Sequence, residues 1–255
     1  MIFRRACLLL TLCALPGTGR ADAALPEGFV YLEAVAPTIR QDIRYHGREN
    51  FLGARVDGYD APRCILTRAA AEALARVQAE LQPQGLSLKV FDCYRPQRAV
   101  THFLRWARMP DDPALRTRYH PNLSKAQLLR EVYIADRSGH SRGSTVDVTI
   151  VRITPSPTLP RARWRTMAKA SAGHDGCEPE AARRDGALDM GSGFDCFDPV
   201  SHTDSPAVTP AQRANRQMLK RLMERQGFRN YAREWWHYTL AQEPFTRQYF
   251  DFPVR

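Results

Sequence analysis

No stretch of this 255-residue chain is apolar for long enough to cross a membrane, which takes roughly 17–25 residues. There is no internal repeat and no low-complexity tract, so neither a solenoid nor a disordered linker is its main architecture. No Cys-x-x-Cys pair occurs, which argues against a thiolate zinc site. No basic helix or aromatic–basic array is present, so nucleic acid is not an expected partner despite a formal net charge of +10. What remains is ordinary for a globular chain: 44% apolar and 25% charged residues, enough for one domain with a sizeable core or two small ones.

The one concentrated apolar run is at the N-terminus. Arg4 and Arg5 precede Ala6 to Leu15, followed by Pro16, Gly17 and the small-residue site Ala21-Asp22-Ala23. That order of charge, short apolar core and A-x-A reads as a secretory signal peptide. Leu12 before Cys13 is bulkier than a lipid-anchored cysteine normally accepts. The expectation is a leader over 1–23, a domain over 24–255, and export to the periplasm. The remainder stays basic, which fits either association with an anionic cell wall or solubility alone.

Cleavage there removes Cys7 and Cys13 and leaves Cys64, Cys93, Cys177 and Cys196. An even set in an oxidising compartment favours disulfides, and four cysteines allow three pairings. Cys64–Cys93 with Cys177–Cys196 is preferred, because each pair flanks one local unit.

Along the chain, Phe29 to Tyr45 alternates like two short strands. Thr67 can cap an Ala/Leu-rich helix to about Leu81, ended by Pro83 and Gly85. Leu86 to Phe91 alternates as a strand, and Pro96 suits the first turn of a helix to about Met109, closed by Pro110 to Pro113. Ser124 with Gln127 and Thr209 with Gln212 are capping-box patterns at two further helix starts. Residues 154–188 lose periodicity and read as an irregular insertion, while Phe228 to Leu240 is strand-like. Strands and helices mix without strict βαβ alternation, which points to an α+β domain.

Chemistry concentrates in two stretches. Ser138-Gly139-His140-Ser141-Arg142-Gly143 leads into the strand-like Thr145 to Val151, which contains Asp147. A bend at Gly143 can fold His140 back over Asp147, a carboxylate that is costly to bury without a cation. The second stretch is Glu234-Trp235-Trp236-His237-Tyr238, whose aromatics would shield a metal from bulk water. Two histidines and one carboxylate would leave a fourth zinc position open, the catalytic rather than the structural pattern. Glu234 stands close enough to His237 to serve as a general base, or else is a surface carboxylate beside Arg233. Arg95 could stabilise an oxyanion, pair with Asp92, or do both.

Three motifs together resemble a known family. Ser138 to Asp147, Asp92 to Val100 (Asp-x-Tyr-Arg-Pro-x-Arg-Ala-Val) and Glu234 to Tyr238 are similar to the zinc D-alanyl-D-alanine dipeptidases of the VanX type. Asn50-Phe51-x-Gly53, Val56 to Tyr59 and the terminal Tyr249 to Val254 are similar too. The resemblance implies one compact α+β domain with a central, mostly antiparallel sheet and flanking helices, shared with zinc D,D-carboxypeptidases and hedgehog signalling domains. It also implies one zinc on His140, Asp147 and His237, Glu234 as base, Arg95 on the tetrahedral intermediate, and Ser138, Tyr45 and Asp195 lining a pocket for a small dipeptide. A D,D-carboxypeptidase acting on wall peptides and a non-catalytic wall-binding module are the rival expectations. Glu234 and Arg95 weigh against the last.

Overall fold

The computed structural model describes residues 24–153, 177 and 186–255. The leader and most of the 154–188 insertion lie outside the described residues.

The scaffold is a five-stranded sheet that carries the two chemical stretches side by side. Its strands are β2 (Arg40–Gln41), β4 (Leu86–Asp92), β5 (Thr145–Arg152), β6 (Phe228–Asn230) and β7 (His237–Leu240), in the spatial order β2-β4-β5-β7-β6. Only β2–β4 is parallel; the other three pairings are antiparallel. Strand β5 is buried from Thr145 to Val151 on both faces, which is why it reads as a near-continuous Val/Thr/Ile run. A separate two-stranded sheet pairs β1 (Phe29–Tyr31) with β3 (Ile65–Thr67).

The helices follow their start signals. Thr67 caps α2 (Arg68–Leu81) by accepting from the Ala70 N–H, and the chain then passes Gly85 at φ 68° into β4. Both capping boxes form, at Ser124 for α5 (Lys125–Arg130) and at Thr209 for α6 (Pro210–Arg225). Gly227, at φ 87°, releases α6 into β6.

Four local readings differ from the structure. Leu32–Val35 is a helical turn, α1, rather than strand, because the chain must turn away from β1 to bury Leu32. Pro96 is the cap before α3 (Gln97–Ala107) and not its first helical residue. Asp112 accepts from the N–H groups of Ala114 and Leu115 and starts a helix, α4 (Pro113–Tyr119), in a segment expected only to close α3. Phe228 to Leu240 is two antiparallel strands, and the turn between them holds Glu234 to Trp236.

Candidate active site

The donors converge by register and by one bend. Asp147 on β5 stands opposite His237 on β7 and, on its other side, opposite Asp92 at the end of β4. The β4–β5 register shifts between Val90 and Asp92, and that irregularity brings the two aspartates level. His140 arrives from a 3-10 turn, Gly139–Arg142, closed by Gly143 at φ 84°. A Cβ at Gly143 would lie 2.2 Å from Phe29 Cε1, so the bend needs glycine for space as well as for backbone conformation.

The result is a triangle of ligand atoms. His140 Nε2 is 3.3 Å from Asp147 Oδ2 and 3.3 Å from His237 Nδ1, which is 3.1 Å from Asp147 Oδ1. Tetrahedral zinc with ligands at about 2.0–2.1 Å spaces them about 3.3 Å apart, so the donor set fits such an ion. The ring tautomer fits as well. His140 Nδ1 lies 2.7 Å from the Cys93 carbonyl, which can only accept, so the proton sits on Nδ1 and Nε2 offers its lone pair. Charge balance points the same way. Asp92, Asp147, Asp195 and Glu234 are all buried close together, with Arg95 as the cation among them.

Arg95 is held rigidly. Its Nε and Nη2 both donate to Asp92 Oδ2 at 2.9 Å, while Tyr59 Oη donates to Asp92 Oδ1 at 2.6 Å. Nη2 is 3.7 Å from Asp147 Oδ2, and Nη1 is 3.5 Å from Ser138 Oγ. The guanidinium therefore pairs with Asp92 and also faces the ligand triangle.

Glu234 is buried, 3.5 Å from His237 Nδ1, while its neighbour Arg233 pairs instead with Glu131. Burial pushes the Glu234 carboxyl well up from its ordinary value, and the charges of Asp147 and Asp195 add to that. Burial also works against ionised Asp147, but the charges and hydrogen bonds of His140 and His237 outweigh it and hold this carboxyl below the usual range. Burial lowers the His237 imidazole, against the pull of Asp147, which favours the neutral ring that a metal needs.

Arg95, Asp147, Glu234 and His237 open on a cavity of about 190 Å³. That is smaller than the roughly 300–1,000 Å³ of drug-sized sites and suits a small ligand. Ser138, Tyr45 and Asp195 all line it. Tyr45 Oη donates to both Asp195 oxygens, at 3.2 and 3.1 Å, and Asp195 adopts φ 60°, unusual for a residue with a side chain. Burial, then the Asp147 charge, pushes the Asp195 carboxyl up. Phe51, Phe103, Phe197 and Trp236 supply aromatic wall.

Both preferred cysteine pairs are bonded, Cys64–Cys93 and Cys177–Cys196. The sequence marks Tyr59 as part of the Val56–Tyr59 motif but not its place behind Asp92. Sequence reading missed the lip at Val132 to Arg137 with Tyr231. Nothing in its spacing marks that lip. Val132 itself is exposed with φ 62°, rare for a β-branched residue.

Such a set of groups can serve peptide-bond hydrolysis at a metal, the chemistry of the metallopeptidases. Comparison with known proteins narrows the class. The peptidase M15 family model, described as D-ala-D-ala dipeptidase, matches residues 26–155 and 181–255, and the chain belongs to that family. A D-alanyl-D-alanine dipeptidase of Streptomyces coelicolor is 40% identical over 226 residues, 89% of this chain and 98% of that one. The proteins of that name in Enterococcus faecalis and Enterococcus faecium are 35% and 34% identical, over 90% and 89% of this chain and 100% and 98% of theirs.

Proposed function

We propose that the protein hydrolyses the dipeptide D-alanyl-D-alanine to two D-alanines, using one zinc ion held by His140, Asp147 and His237. The observation that supports this most is the ligand triangle, its edges 3.1 to 3.3 Å, with the Glu234 carboxyl and the Arg95 guanidinium beside it. A bound zinc supplies a Lewis acid for the scissile carbonyl and lowers the pKa of a water toward about 7.

The chain's own groups do the rest. Glu234 takes the proton of the attacking water and delivers it to the leaving amine, a role served by a carboxyl whose burial raises its proton affinity. Arg95, fixed by Asp92, meets the negative charge that develops on the carbonyl oxygen. Asp195, held by Tyr45, receives the substrate ammonium, and Ser138 lies at the carboxylate end. The aromatic walls exclude water and leave room for methyl side chains.

The N-terminal charge pattern and the two disulfides support export, so the periplasm is the proposed site of action.

Substrate length tests the reading. Free D-Ala-D-Ala should be cleaved at least about a hundredfold better in kcat/KM than its N-acetyl form, because the acylated end leaves the buried Asp195 without the substrate's ammonium. Asp195→Ala should shrink that ratio by harming the free dipeptide far more. Comparable wild-type rates on both substrates would favour a D,D-carboxypeptidase, and no turnover of either would favour a binding module.

A further inference from the structure

Neither Cys64 nor Cys93 lines the cavity, yet their disulfide ends on the group that sets the state of a candidate ligand. Strand β4 stops at Asp92, so Cys93 has left the regular strand. Its carbonyl is the acceptor for His140 Nδ1 at 2.7 Å. The preceding residue, Asp92, lies 3.4 Å from the same nitrogen and braces Arg95. The partner cysteine is anchored elsewhere. The Cys64 N–H donates to Gln41 Oε1 at 2.6 Å, and its carbonyl accepts from the Leu32 N–H at 2.9 Å. One covalent link thus joins the Cys93 backbone to the β1–β3 side of the molecule. The Tyr94 N–H to Ile65 carbonyl bond, 2.9 Å, adds a weaker tie one residue on.

We propose that this disulfide is a positioning element for His140, and that only the oxidised chain holds its metal tightly. The proposal rests on the zinc reading above. The Cys93 carbonyl keeps the imidazole proton on Nδ1 and turns the Nε2 lone pair toward Asp147 and His237. With that carbonyl free to drift, the ring can rotate or carry its proton on Nε2, where an N–H meets the metal. Partners behind a ligating histidine typically govern affinity by 10–100-fold. Reduction would take two electrons and two protons from a dithiol and leave two thiols, with only hydrogen bonds such as Tyr94 N–H to the Ile65 carbonyl between the two segments. Both cysteines are buried, at 0% and 2% exposure, so the link is shielded from casual reduction once formed. Activity would then be confined to chain that has reached an oxidising compartment and closed this bond.

The other disulfide is the internal control. Cys196 adjoins Asp195 but makes no hydrogen bond to His140, Asp147 or His237, so its loss should not touch metal affinity.

Zinc affinity measured by chelator competition on C64A/C93A, C177A/C196A and wild-type protein decides the matter, with the melting midpoint followed in parallel. The expected result is 10–100-fold weaker zinc binding in C64A/C93A, at a temperature where its circular dichroism matches wild type, and unchanged binding in C177A/C196A. In the metal-free proteins, imidazole nitrogen shifts should show His140 as the Nδ1–H tautomer in wild type and mixed in C64A/C93A. A bond that only stabilises the fold would lower both melting points and leave zinc affinity within about threefold, which overturns the proposal. Should C64A/C93A fail to fold, C177A/C196A protein reduced with a phosphine that is then removed, its two thiols counted, is compared with its oxidised form and gives the same two outcomes. Wild-type protein that binds no zinc at all would instead refute the metal reading on which this one rests.

Discussion

Asp147 and His237 face each other across the antiparallel β5–β7 pair, with Asp147 Oδ1 3.1 Å from His237 Nδ1. They are 90 residues apart in the chain. Asp92 is level with them on the far side of β5, so three functional side chains form one row across three hydrogen-bonded strands. A row of this kind is positioned by sheet geometry and not by loop conformation, which is how a site keeps its donors aligned. Of the three candidate ligands, His140 alone comes from a turn, and that turn is held from several directions. The Gly143 carbonyl accepts from the Thr67 N–H at 2.7 Å, and the Ser141 carbonyl from the Phe250 N–H at 2.9 Å.

The ligand triangle predicts about one zinc per chain in purified protein. His140→Ala, Asp147→Ala and His237→Ala should each weaken retention by more than the 10–100-fold expected for a group behind a ligand. Elemental analysis after dialysis against a chelator measures this. Full occupancy in any two of the three would mean the ligands are misassigned.

Glu234→Gln separates chemistry from binding. The amide keeps the size and hydrogen-bonding reach of the carboxyl but cannot shuttle a proton. It should retain zinc and fold while kcat drops about 10²–10⁴-fold. Wild-type turnover in this variant would remove Glu234 from the mechanism.

Gly143→Ala tests the bend. The left-handed φ of 84° costs a residue with a Cβ about 1–2 kcal/mol, and the contact with Phe29 adds overpacking of similar size. Urea unfolding should show a loss of about 2–4 kcal/mol, with weaker zinc binding because His140 rides on the same turn. An unchanged midpoint would contradict both the backbone cost and the clash with Phe29.

Lys89 on β4 sets an alkaline dependence of stability. Burial brings its ammonium down to about 8 from an ordinary 10.5, partly offset by Asp42 at 3.5 Å. Below pH 8 both folded and unfolded chains carry the proton, and the fold bears the whole penalty. Between about 8 and 10.5 the folded chain releases a proton that the unfolded chain keeps, so this group makes stability rise with pH, by about 3 kcal/mol in all. Lys89→Met should remove that rise and be about 1–3 kcal/mol more stable than wild type at pH 7. Denaturant midpoints of the two proteins at pH 7 and pH 10 give the comparison, and parallel pH profiles would contradict it.

Local chemistry was legible wherever a residue type has few conformational options. Thr67, Ser124 and Thr209 cap helices because their hydroxyls satisfy first-turn N–H groups whatever the rest of the chain does. Gly227 ends α6 because left-handed backbone is open to it. The cysteine pairs followed from proximity along the chain. Where alternation misled, tertiary packing decided, as at Leu32–Val35, whose apolar residues serve a helical turn instead of a strand.

By itself the sequence determined which side chains could do the chemistry. Asp147 and His237 stand out because a carboxylate in an apolar strand, or a histidine among tryptophans, needs a partner to offset its burial, while His140, Glu234 and Arg95 stand out by motifs that resemble the dipeptidase family. Only the tertiary structure decided how they meet. The register shift at the end of β4 levels Asp92 with Asp147, the β5–β7 pairing sets Asp147 against His237, and the Cys93 carbonyl chooses the His140 tautomer. Those choices rest on hydrogen bonds between segments far apart in the chain, which residue identity and spacing do not encode one segment at a time.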